Sequence, residues 1–107
     1  MKKTRPKTTL QAFKEAFEVF RIRGYRVRFH SFRWGQKPTR PTVYRSVKEV
    51  NTVSAVLSSA YTNDERGSWL YWPKASELVE HAPGVFWVLN DVMGDVLVYD
   101  FAEGLKD

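Results

Sequence analysis

An α+β domain is expected from three features of the 107-residue chain. Its helices would pack on one face of a mainly antiparallel four-stranded sheet, in the order α-β-α-β-α-β-β. Leu10, Phe13, Phe17 and Phe20 recur at helical spacings of three and four. Residues 25–34 alternate between apolar and cationic side chains, the period of a strand. Two apolar runs, 85–90 and 96–101, flank a turn that contains Gly94, as in a β-hairpin. Alternating helices and strands then suggest one layer of helices on a sheet.

The first helix is expected to start near Thr8 or Thr9, since threonine is a good N-cap. It should end with Arg21 and Arg23 opposing the helix dipole and Gly24 as the C-terminal stop. The strand 25–34 follows, with Tyr25, Val27, Phe29 and Ser31 on the core face. Arg26, Arg28, His30, Phe32 and Trp34 then lie on the other face. The Pro-rich stretch 35–42 reads as an exposed loop. A second helix is expected over 44–61, with Val47, Val50, Val53 or Ser54, Leu57 and Tyr61 on one side, although its β-branched residues weaken helix propensity. After a loop at 62–68, the run 69–72 (WLYW) reads as a short strand. A third, short helix would occupy 74–81, ended by Pro83-Gly84. The domain would span residues 8–103, between a basic flexible arm (1–7) and a fraying tail (104–107).

Length allows one hydrophobic core. The longest unbroken apolar run, residues 85–89, is far below the roughly 20 residues of a membrane helix, so no membrane association is expected. There is no cysteine, which removes thiolate catalysis and disulfides and suits a reducing, cytoplasmic compartment. No metal ligand pattern and no phosphate-cradling glycine loop occurs, so no cofactor and no metal are expected.

Charge is the most informative feature. Residues 1–50 carry a net +11 and residues 51–107 a net −6, giving +5 overall. Between residues 21 and 45 there are eight cations, seven of them arginine, and no Asp or Glu. Tyr25, Phe29, Phe32, Trp34 and Tyr44 are interleaved with them. Arginine meets phosphate with a planar fork, and aromatic rings stack on bases. The sequence therefore points to a non-enzymatic nucleic-acid-binding module. Its binding residues would be Arg26, Arg28, His30, Phe32, Arg33, Trp34, Lys37, Arg40, Tyr44 and Arg45. The alternative is a protein-binding inhibitor or adaptor that docks on an acidic or nucleic-acid-binding surface, because Trp, Tyr and Arg dominate interface hot spots. A minor alternative is a metal-independent ribonuclease with His30 as base, kept neutral by neighbouring arginines. The oppositely charged halves could also pair within one chain or across a homodimer. The nucleic-acid reading requires the cationic face of the first strand to stay open, not roofed by the acidic C-terminal hairpin.

Overall fold

The computed structural model describes residues 7–33, 35–36, 41–58, 67–90 and 94–106. Among the described residues there is one α-helix, α1 (Thr9–Arg23), and seven strands. These are β1 (Arg26–Arg33), β2 (Val43–Val50), β3 (Ser54–Leu57), β4 (Ser68–Tyr71), β5 (Leu78–Ala82), β6 (Val85–Asn90) and β7 (Asp95–Leu105). They make a single antiparallel sheet in the order β4-β3-β2-β1-β7-β6-β5. The expected three helices on four strands are therefore replaced by one helix on seven strands.

The helix forms where its signals place it. Thr8 caps it and exchanges hydrogen bonds with Gln11: the Gln11 backbone N–H donates to Thr8 Oγ1, and the Thr8 N–H donates to Gln11 Oε1. Gly24 ends it at φ 69°, in the left-handed region that a Cβ disfavours. Phe13, Phe17 and Phe20 are buried, and they meet Trp72, Phe86, Tyr99 and Phe101 edge-on or tilted at ring separations of 4.9–6.4 Å. The helix packs against β2 and β5 and covers one face of the sheet.

Of residues 44–61, expected to be helical, the described part (44–58) instead contributes to β2 and β3, joined by a turn at 51–53, and residues 59–61 lie outside the described residues. The Asn51 side chain accepts from the backbone N–H groups of Val53 and Ser54 and closes that turn. The physical reason for the misreading is Arg45. It lies between Val43 and Val47 on the core side and is only 5% exposed. A buried arginine breaks the apolar alternation that identifies a strand. A register shift between Val47 and Glu49 then changes the phase of the valines, so they fall at helix-like intervals.

The expected helix 74–81 reduces to one 3₁₀ turn, Ala75–Glu77, followed by β5. Leu78 is buried opposite Val88, while Val79, Glu80 and His81 face outward from an edge strand. Of the run 69–72, residues 69–71 fall in β4 at the other edge, and Trp72 follows the strand. Leu70 is buried, and Trp69 and Tyr71 are 56% and 70% exposed. The C-terminal hairpin forms with Gly94 at φ 69°, and β7 continues to Leu105, which lies opposite Arg26.

Arg45 anchors the core beneath β1. Its Nε donates to the Ser58 carbonyl at 2.9 Å, its terminal nitrogen reaches Ser68 Oγ, and its guanidinium sits 4.9 Å from the Phe29 ring centroid. Its charge also acts on the buried phenol of Tyr99. Burial raises the Tyr99 pKa to about 12, against the opposing pull of the Arg45 charge. Stability should therefore be complete below the ordinary tyrosine value of about 10, where folded and unfolded chains both hold the proton. Above that the unfolded chain loses its proton first, and about 2–3 kcal/mol should be lost as pH rises from about 10 to about 12. Urea unfolding of the parent and of Tyr99→Phe across this range checks it, because the phenylalanine variant should lack this component of the alkaline decline.

Candidate nucleic-acid interface

Strand β1 alternates as its sequence requires. Val27 and Phe29 are buried against the helix layer, and Arg28, His30 and Phe32 lie on the opposite face, each half-buried. The register continues this face across four strands. Tyr44 (β2) stands opposite Arg28, Arg28 opposite Asp100 (β7), and Asp100 opposite Val85 (β6). The next row is His30, Val98, Trp87 and Val79, and the next is Phe32, Val96 and Leu89. Arg26, opposite Ser46 and two residues before Arg28, extends the face as an exposed cation.

Among the described residues, no helix or strand lies over this face. The acidic hairpin β6–β7 sits beside β1 in the plane of the sheet rather than on top of it. Val96 and Val98 are nonetheless 0% and 3% exposed and lie outside the helix-side core. Their register neighbours on that face are Phe32, His30, Trp87 and Leu89. Phe32 meets Trp87 edge-on at 5.4 Å, His30 stacks near Phe32 at 6.3 Å, and His81 stacks on Trp87 at 4.1 Å with the planes 15° apart. The result is an aromatic platform of Phe32, Trp87, His30 and His81, bordered by Arg26, Arg28 and Tyr44.

Two polar atoms in this platform, Arg28 Nε and His30 Nδ1, are buried and have no hydrogen-bond partner. Buried polar groups are normally paired, so these two atoms are exceptions on this face. The His30 pKa is lowered, first by burial and then by the Arg28 charge, with Asp100 opposing. His30 is therefore neutral at neutral pH, and its ring presents an uncharged stacking surface.

The other expected site residues divide. Arg33 forms an ion pair with Asp95 at 3.2 Å across the β1–β7 register, so part of the acidic half does neutralise the basic half within the fold. Arg45 is corrected from a surface contact to a core residue, because its position in β2 points it at Phe29 and Tyr99 rather than outward. Trp34, Lys37 and Arg40 lie outside the described residues, as does the arm up to residue 6. Sequence reasoning missed Trp87 and His81. The period of the run 85–90 already grouped Val85, Trp87 and Leu89, but nothing local showed that this strand would sit two places from β1.

Among the described residues, no three His, Asp or Glu side chains come close enough to hold a metal ion, and no helix is long and apolar enough to cross a membrane. No family model matches the chain, and neither the curated proteins nor the solved structures contain a significant match to it.

Proposed function

We propose that the chain binds single-stranded nucleic acid on the open face of its sheet. The observation that carries this reading is the joining of an aromatic platform to a cationic border on the sheet face that no helix or strand covers among the described residues. Phe32, Trp87 and His81 bring aromatic rings together on that face, where unpaired bases would stack, and Arg26 and Arg28 lie beside them, where phosphates would sit. Base–aromatic stacking contributes roughly 1–3 kcal/mol per base and tolerates sequence changes. Phosphate contacts make such binding salt-dependent, with a slope of about −0.7 in log K against log salt for each neutralised phosphate.

Tryptophan fluorescence titration with a single-stranded oligonucleotide tests this. Binding should quench Trp87 emission and weaken steeply with salt. Arg26→Ala combined with Arg28→Ala should reduce affinity about tenfold or more and flatten the salt slope by about 1.4 units. A salt-independent affinity, or a double variant that binds like the parent, would remove the proposal. A specific complex recovered from lysate after nuclease treatment would point instead to an acidic protein partner.

A further inference from the structure

We infer that β4 is a docking edge for a second copy of this chain. Among the described residues β4 is the outermost strand on its side, paired with β3 alone. The Trp72 N–H donates to the Val53 carbonyl, so the directly opposed residues 53 and 72 form a hydrogen-bonded pair. Antiparallel ladders alternate such pairs with unbonded ones. Ser68 and Leu70 therefore turn their backbone groups toward β3, and Trp69 and Tyr71 turn theirs to the free edge. The same two residues carry the exposed rings. Their register partners Val56 and Ser54 put both rings on the face opposite Leu70, away from the helix.

This edge lacks the usual protection. Natural edge strands carry charge, proline or a bulge that discourages pairing. The far edge, β5, has Glu80 and a register shift between Glu80 and Ala82. Ser68–Tyr71 has no charge, no proline and no register shift. In a chain of net charge +5, a neutral strand is where two copies meet with least repulsion.

A two-fold axis through Leu70, perpendicular to the sheet, makes the edge complementary to itself. Trp69 then lies opposite the partner subunit's Tyr71, and Tyr71 opposite the partner subunit's Trp69. All four outward backbone N–H groups find carbonyls, and two aromatic cross-strand pairs form on one face. The axis also keeps both open faces on the same side. If the proposed nucleic-acid surface holds, two copies would present it as one continuous sheet, but the interface itself does not depend on that reading.

Sedimentation velocity over a range of micromolar concentrations, without nucleic acid, reads the interface separately from binding. The parent should shift from monomer toward dimer as concentration rises. Trp69→Pro removes an outward N–H without touching the β3 ladder, and Tyr71→Lys places like charges near the axis. Either should weaken dimerisation at least about tenfold. Unchanged circular dichroism would show that the fold survives; because Tyr71 is 70% exposed, Tyr71→Lys keeps the test valid even if the proline variant misfolds. Weakening by a folded variant supports the interface. A parent that stays monomeric at every concentration, or a dimer unaffected by the folded variants, overturns it.

Discussion

Replacing Arg45 by alanine is expected to lower the unfolding free energy by about 3–5 kcal/mol. Arg45 is 5% exposed, and its guanidinium donates to the Ser58 carbonyl and Ser68 Oγ. Alanine leaves those groups without their donor in a place with little access to water. It also removes the cation from the Phe29 ring and opens a cavity beneath it. Arg45→Met keeps the length and apolar contact of the stem while still losing the hydrogen bonds, so its loss should be smaller. Urea unfolding of both variants checks the order. The same pair separates the core role of Arg45 from a surface role. Arg45→Met should leave the salt dependence of nucleic-acid binding unchanged, whereas a normal melt with weakened binding would place the guanidinium at the ligand.

Phe13→Ala should cost about 3–5 kcal/mol. Phe13 is 0% exposed and lies within 6.4 Å, ring to ring, of Phe17, Trp72, Phe86, Tyr99 and Phe101. Those partners come from the helix, from the segment after β4, and from β6 and β7. The cavity therefore opens where the helix joins both halves of the sheet, and rigid aromatic neighbours collapse into it poorly. Phe13→Leu, which retains most of the volume, should lose far less. Val19→Ala on the same helix, at a residue 45% exposed, should change stability by less than about 0.5 kcal/mol. A loss below about 1 kcal/mol for Phe13→Ala would mean that the helix is not held to the sheet as described.

The helix and the first strand were legible in the sequence because each carries its own period and its own stops. Thr8, the phenylalanines at three- and four-residue spacing, and Gly24 bound the helix without help from any distant residue. The alternation from Arg26 to Arg33 sorted the open face from the core face before any packing was known. Residues 44–61 failed for an equally local reason. The inward residue Arg45 has the chemistry of an outward one, and its burial depends on Ser58, Ser68 and Tyr99, which lie 13, 23 and 54 positions away. The short β5 was hidden in the same way, because its pairing with β6 outweighs a weak helical pattern.

Local periodicity determined which side chains could share a face: Arg26, Arg28, His30 and Phe32 on one strand, Val85, Trp87 and Leu89 on another. It could not determine which strands would be neighbours, because pairing joins residues far apart along the chain. The β1–β7 pairing brings Arg28 beside Asp100 and sets His30 two strands from Trp87. Tertiary structure alone decided that the acidic hairpin would extend the sheet instead of covering it, that Arg33 would be partly neutralised by Asp95, and that β4 would be left at an edge. Backbone hydrogen bonding between distant segments sets those outcomes, and it leaves no periodic trace in the residues that take part.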